Sequence, residues 1–105
     1  MAGETEEQLT AARVPYEGGH AFYREIARGE ISGERTGMLK LLFERDGHRL
    51  RGVHIIGAYA TELVHIGQAV LSFGGPVDYF VDTVFNYPTL SETYRVAALN
   101  GLNRL

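Results

Sequence analysis

The residues that could take part in chemistry are concentrated in residues 85–105, which read FNYPTLSETYRVAALNGLNRL. Tyr87 stands directly before Pro88, and Thr89 and Glu92 have the Thr-x-x-Glu spacing of a helix capping box. Such a cap explains Glu92 without any substrate, and a lone tyrosine is more often a packed aromatic with its hydroxyl at the surface. The residue types alone therefore favour a helix start, and a functional role for Tyr87 depends on the motif around it.

A metal site formed by His54 and His65 is a second candidate, because a strand and a helix could bring the two imidazoles together. The chain has no histidine pair at helical i, i+4 spacing with a carboxylate, and each of these histidines lies in an apolar stretch. We therefore expect hydrogen-bonded core or interface histidines and no metal. The sequence contains no cysteine, which excludes disulfides, thiolate ligands and thiol chemistry by this chain.

Basic side chains surround a predicted tight turn at Asp46 and Gly47. We interpret them as a solvated hairpin face, with phosphate binding as the less favoured alternative; they are Arg45, His48, Arg49 and Arg51. The formal net charge is −3, the pI is about 5.8, and there is no dense basic stripe. These charges argue against a nucleic-acid partner.

The chain of 105 residues fits one domain with a modest core. Hydrophobic residues make up 45% of it, more than a disordered segment would carry. No charged-then-apolar leader and no long apolar span is present, so we expect a cytoplasmic protein without a membrane partner.

The first half of the chain predicts one short helix and three strands. Thr5 and Gln8 have capping-box spacing and predict a helix over residues 5–13. Residues 16–23 indicate an extended segment, with a possible bulge at Gly18 and Gly19. Alternating apolar residues at 36–45 and 50–56, separated by Asp-Gly, predict a β-hairpin.

The second half predicts helices. Apolar residues at helical spacing indicate a largely buried helix over residues 58–73, ended by Gly74 and Gly75. A short helix is expected at 76–81, and a final helix is expected to begin near Thr89. The fold class that follows is α+β, an antiparallel β-sheet with helices packed on one face.

Three motifs, in this order and at this spacing, resemble the C-terminal dimerisation domain of the pyridine nucleotide-disulfide oxidoreductase family of FAD/NAD-linked reductases. They are GETEEQL at residues 3–9, GVHIIGAYATELVH at residues 52–65 and YPTLSE at residues 87–92. The resemblance covers essentially the whole chain and implies a single dimerisation (interface) domain over residues 1–105. The family's glycine-rich FAD and NAD(P) loops have no counterpart here, so we expect a fragment lacking those domains. The chain begins at the first predicted helix, which implies that the domain's first strand is missing and a sheet edge is unpaired.

Within the family, HIGQAV at residues 65–70 and the segment 85–105 are most similar to the soluble pyridine nucleotide transhydrogenases. This similarity implies a parent enzyme that transfers hydride between NADPH and NAD through FAD. The chain itself is expected to bind no cofactor and to be inactive alone, because FAD and NAD(P) belong to the parent's other domains.

The resemblance also assigns roles to the candidate residues. In the disulfide reductases a histidine precedes the proline and forms an acid/base pair with a glutamate five residues on, which corresponds here to Tyr87 and Glu92. A phenol, with a reference pKa of about 10, exchanges protons with thiols poorly at neutral pH, which argues against disulfide reduction. The family implies that Tyr87 and Pro88 reach the partner subunit's flavin, while Thr89 and Glu92 are a helix cap or a vestigial dyad.

A homodimer is expected on physical grounds as well. Two apolar helices together with Tyr79, Phe80 and Phe85 present more apolar surface than so small a core can cover, and a two-fold interface is the simplest solution. The alternative is a free-standing homodimeric binding or assembly module derived from such a domain. Nucleotide-binding motifs encoded immediately upstream would favour the first interpretation, and a ribosome-binding site at Met1 would favour the second.

Overall fold

The computed structural model describes residues 1–23, 37–57, 60–82 and 92–105, without the side chain of Glu62. Four strands and four helices lie in these ranges: β1 (Ala2–Gly3), α1 (Glu6–Ala11), β2 (Tyr16–Phe22), β3 (Gly37–Glu44), β4 (Leu50–Gly57), α2 (Ala60–Ser72), α3 (Tyr79–Asp82) and α4 (Glu92–Leu102). The ambiguous polar segment at 25–33 and the predicted helix start at Thr89 lie outside the described residues.

The strands form one antiparallel sheet in the order β1-β4-β3-β2. The hairpin of β3 and β4 is the predicted one, and its turn places Gly47 at φ 85° and His48 at φ 63°. Glycine adopts this left-handed conformation without steric cost, which explains the Asp-Gly signal. The α+β class with an antiparallel sheet is confirmed.

The two long helices, α2 and α4, pack on the same face of the sheet. That face and the helices above it enclose one apolar cluster, whose largest fully buried members are Tyr23, Leu39, Leu41, Phe43, Leu50, Val53, Val70, Val77, Phe80 and Tyr94. The short helix α1 lies against the opposite face, where Glu6 forms an ion pair with Lys40 of β3. The prediction that helices pack on one face of the sheet therefore holds for the two long helices. Helix α1 forms a small layer on the other face.

Glycines 18 and 19 do not form a bulge. The pairing of β2 with β3 is regular along the whole strand, and the irregularity of the sheet lies between Leu42 and Phe43 on the hairpin. A Cβ on Gly19 would lie 2.2 Å from the carbonyl oxygen of Ala97 and 2.5 Å from the amide nitrogen of Gly101. Gly19 is thus required by the close approach of α4, which sequence spacing did not reveal.

The beginning of the chain differs from the prediction in two respects. The capping box of Thr5 and Gln8 is present with both hydrogen bonds, but α1 ends at Ala11 because Arg13 turns to φ 59°. A two-residue strand, β1, precedes the helix and pairs with Gly52 and Val53 of β4. The chain therefore does not begin at the helix.

Helix α2 ends as predicted but is buried on one side only. The amide of Gly74, at φ 68°, donates to the carbonyl of Leu71, and the amide of Gly75 donates to the carbonyl of Val70. Leu63 and Val70 face the core, whereas five residues of the same helix are exposed: Thr61, His65, Gln68, Ala69 and Ser72. The prediction of a largely buried helix is wrong. It was based on the apolar composition of the helix, which does not show that one side is exposed to solvent.

Candidate functional site

Of the four residues predicted to form the site, only Glu92 is described; Tyr87, Pro88 and Thr89 lie outside the described residues. Glu92 is the first residue of α4 and is half-buried. The neighbouring Thr93 is buried, and its hydroxyl has no hydrogen-bond partner among the described residues.

Helices α3 and α4, which precede and follow residues 83–91 in the chain, meet through aromatic rings. The ring centroids of Phe80 and Tyr94 lie 4.8 Å apart with their planes inclined by 31°, and both side chains are fully buried. Stacked aromatic pairs of this kind add stability beyond the area they bury. Helices α3 and α4 therefore meet within the core.

Tyr94 also ties α4 to α2. Its hydroxyl donates to the carbonyl oxygen of Leu63 and accepts from the amide of Gly67 at 3.0 Å. Gly67 allows this contact, since a Cβ there would lie 2.5 Å from the side chain of Val53. Burial raises the pKa of the Tyr94 phenol to about 12, so Tyr94 is a neutral structural hydroxyl at physiological pH.

Sequence reasoning placed Tyr94 in the helix but missed this role. The hydroxyl bonds join residues 27 and 31 positions apart, a separation that helical spacing cannot indicate. A buried tyrosine needs a partner for its hydroxyl, so a tyrosine among alanines on the apolar side of α4 was the available signal.

The basic residues around the hairpin turn include two exposed side chains, Arg45 and Arg49, which agree with the interpretation as a solvated face. The other two, His48 and Arg51, are half-buried. Arg51 donates to Glu4 and to Glu44, both at 2.7 Å, and these hydrogen bonds raise the pKa of its guanidinium. Arg45 donates to Glu17 at 2.8 Å, and the Nδ1 of His48 donates to Asp78 at 2.8 Å. Arg49, like Arg45, is exposed, and it has no charged partner in the described part of the chain.

The two candidate metal histidines are separate. His54 is half-buried and its Nε2 lies 3.0 Å from the carbonyl oxygen of Glu4, to which it donates. His65 is exposed on α2. Within the described ranges, no group of three or more histidine or carboxylate side chains is placed to hold a metal ion. His54 therefore matches the expectation of a hydrogen-bonded histidine.

The apolar surface differs from the one expected from the sequence. Phe80 is fully buried in the chain's own core, and Phe85 lies outside the described residues. Tyr79 is 39% exposed and lies edge-on to Phe73, which is 62% exposed. No helix of the described residues has the length and apolar character needed to cross a bilayer.

The profile of the family described as "Pyridine nucleotide-disulphide oxidoreductase, dimerisation domain" matches residues 1–98. The chain belongs to this family. The family supplies the fold described above and assigns the chain to the interface domain of these oxidoreductases.

Among curated relatives, the soluble pyridine nucleotide transhydrogenase of Hahella chejuensis is 56% identical over 106 residues, covering 98% of this chain and 23% of the relative. The enzyme of the same name from Mycobacterium tuberculosis is 57% identical over 103 residues, covering 98% of this chain and 22% of the relative. The chain thus spans less than a quarter of the length of these relatives.

Solved structures share the fold. The HOCl-induced flavoprotein disulfide reductase RclA from Escherichia coli superposes with a TM-score of 0.86 at 23% identity, over 92% of this chain and 22% of that one. LpdA from Mycobacterium tuberculosis superposes with a TM-score of 0.84 at 23% identity, over 93% of this chain and 21% of that one. At this identity the likeness establishes the architecture alone.

Proposed function

We propose that this chain is the homodimerisation domain of a flavoprotein that transfers hydride between NADPH and NAD, and that it lines the FAD site of the partner subunit. The supporting observation is an identity above 50% to soluble pyridine nucleotide transhydrogenases across 98% of the chain. In such an enzyme FAD carries hydride from one nicotinamide to the other, and this chain contributes no catalytic group of its own. We place the parent in the cytoplasm, because these relatives are named soluble enzymes.

The FAD and NAD(P) domains of the parent would lie outside residues 1–105. No strand among the described residues leads into a Gly-x-Gly-x-x-Gly loop, so phosphate binding would fall to those domains. We also propose that preceding residues of the parent extend β1. In this antiparallel pair Ala2 lies opposite Val53, and β4 continues for four residues, to Gly57, without a strand partner on that side in the described chain.

Tyr87 and Pro88 are the residues we assign to the partner's flavin. The support within the structure is indirect: the helices that precede and follow residues 83–91 in the chain are joined by Phe80 and Tyr94. A tyrosine in place of the family's histidine suits an enzyme that moves hydride, because that reaction needs no acid/base pair for thiols. Thr89 and Glu92 would then serve α4 as a cap.

The dimer interface is assigned to the open side of α2. Among the side chains of this helix that the structure describes, which do not include that of Glu62, the five exposed ones given above carry no Asp, Glu, Lys or Arg. The exposed ring of Phe73 lies directly beyond the helix. Charged residues are depleted at the centres of protein interfaces, whereas exposed helices of monomers normally carry them. A two-fold contact between two copies of this face would bury it.

Sedimentation of the full chain at micromolar concentration tests the interface. We expect a dimer, and Ala69→Glu on the exposed face of α2 should weaken association by about 10-fold or more, because it buries an unpaired charge. The matched control is Ala11→Glu on α1, also an exposed helical alanine, which should leave the dimer intact. A stable wild-type monomer, or equal loss in both variants, would contradict the assignment.

The role of Tyr87 is tested in a full-length enzyme of this family that carries this domain. Tyr87→Phe keeps the ring and removes the hydroxyl, so we expect turnover to fall by less than about 10-fold. A loss of several orders of magnitude would mean that the hydroxyl takes part in chemistry and would refute its assignment as a wall of the site.

A further inference from the structure

The outer edge of β2 is closed by side chains of the last helix. The carbonyl of Pro15 accepts from the amide of Arg45 at 3.1 Å, so the odd-numbered residues of this strand direct their backbone groups to β3. The even-numbered residues, such as Gly18 and His20, therefore direct their N–H and C=O groups away from the sheet. No strand in the described ranges pairs with this edge.

Three of these outward groups have side-chain partners. The amide of His20 donates to Oδ1 of Asn100 at 3.1 Å, and the carbonyl of Gly18 accepts from Nη1 of Arg104 at 3.3 Å. The amide of Gly18 donates to the carboxylate of the preceding residue, Glu17, at 3.1 Å. Asn100 and Arg104, four residues apart, form the edge cap.

We propose that the outer edge of β2 is a strand-pairing surface, kept closed by the edge cap, whose partner is the β2 edge of a second copy of this chain. An uncapped edge offers a row of backbone donors and acceptors to another strand, and natural proteins cover such edges to prevent pairing. The strand contains no lysine, arginine or proline that would oppose pairing by itself. Among the described residues, Asn100 of α4 and Arg104 of the turn after it protect the edge at Gly18 and His20.

The strand is complementary to itself in one antiparallel register. When Gly18 of one copy lies opposite His20 of the other, the two Gly18–His20 pairs can exchange their backbone hydrogen bonds. Tyr16 then faces Phe22 across the strands, an aromatic pair that stabilises sheets. Glu17 faces Ala21, so no like charges are opposed.

Space for this register exists beside the edge. A cleft of about 460 Å³ lies on the α1 side of the sheet, with Gly18, Met38 and Arg104 among its lining residues. Because Gly18 has no side chain, the imidazole of a second copy could enter the cleft once Arg104 moves away. This surface is separate from the exposed side of α2, so the inference does not depend on the proposed function.

The test removes the edge cap. Asn100→Ala with Arg104→Ala should speed hydrogen exchange of the His20 amide by about 10-fold and lower the concentration at which species larger than the wild type form by a similar factor. The matched control is Asn103→Ala with Arg95→Ala, which changes the same residue types at exposed positions of the same helix and its following turn. Equal behaviour of the two double variants overturns the proposal. If the first double variant fails to fold, Arg104→Ala alone, at an exposed position, takes its place.

Disulfide trapping tests the register. The chain has no cysteine, so Tyr16→Cys with Phe22→Cys introduces the only thiols, which lie too far apart along one strand to bond within a copy. Oxidation should link two chains at least about 10-fold faster without the edge cap than with it. Adding His20→Pro removes an outward N–H and should suppress the link; His20→Lys serves if the proline variant is unfolded. No link, or one that is indifferent to the edge cap, refutes the pairing.

Discussion

The two faces of the sheet are covered by helices through different kinds of contact. On the face under α2 and α4, fully buried apolar side chains and the hydroxyl of Tyr94 join strands to helices. On the face under α1, the fully buried Leu9 and Leu42 are accompanied by a partly exposed ion pair between Glu6 and Lys40. The first face tolerates little change in volume, whereas the second can adjust at its ion pair because those side chains are long and partly solvated.

The charges on the α1 face confirm its partly solvated nature. The hydrogen bond from Lys40 is the largest cause of the lowered pKa of Glu6, yet the side chain of Glu6 is 47% exposed. Ion pairs at such positions contribute little to the free energy of unfolding and weaken with salt. Apolar burial on the other face therefore supplies most of the stability.

The largest contrast is expected at two adjacent glycines that point to opposite faces. Gly19→Ala places a methyl 2.2 Å from the backbone oxygen of Ala97, so α4 must move away, and the free energy of unfolding should fall by about 3 kcal/mol or more. Gly18→Ala meets the flexible Leu42 side chain at 3.3 Å and should change stability by less than about 1 kcal/mol. Urea denaturation of both variants measures the difference, and equal losses would contradict it.

A smaller contrast is expected for one hydroxyl on each face. Tyr94→Phe leaves the Gly67 amide and the Leu63 carbonyl without their partner and should cost about 1–3 kcal/mol. Tyr16→Phe removes an exposed hydroxyl that donates to Glu6 at 3.2 Å and should cost less than about 0.5 kcal/mol. If urea denaturation gave equal losses for the two variants, the buried hydrogen bonds of Tyr94 would stabilise the fold no more than the exposed one of Tyr16.

The Tyr94 hydroxyl also predicts a dependence on alkaline pH. Its folded pKa is raised from 10.0 to about 12, so its contribution is fully present below pH 10 and is lost as pH rises towards 12. The stability difference between wild type and Tyr94→Phe should therefore shrink over this interval, as measured by denaturation at a series of pH values. A difference independent of pH would contradict the pKa shift.

Local signals predicted most of the elements. The capping box at Thr5, the Asp-Gly turn and the glycines after α2 each act within a few residues, so their spacing was sufficient. Wrong predictions arose for residues whose type is explained by contacts with residues far away in the sequence. Gly19 was interpreted as a bulge, because the close approach of α4 that requires a glycine there cannot be read from neighbouring residues. Phe80 was interpreted as an interface residue, because the ring that buries it, Tyr94, lies 14 positions away in the sequence.

The candidate site was predicted from a motif, and the described residues reach only its last position. Glu92 lies at the start of α4, which suits a cap, while the assignments of Tyr87, Pro88 and Thr89 stay predictions. What the structure adds is the packing of the neighbouring helices, through Phe80, Tyr94 and Leu63. No sequence spacing indicated that support, because it joins three separate helices.

By itself, the sequence determined the helices, the hairpin, the antiparallel α+β class and membership of the oxidoreductase dimerisation family, since these follow from local spacing and motif order. Only the tertiary structure decided which face Gly19 must leave empty, which backbone groups Tyr94 satisfies and how Asn100 and Arg104 close the β2 edge. These contacts join residues from 27 to 86 positions apart, and such proximity is set by packing, which local patterns do not encode.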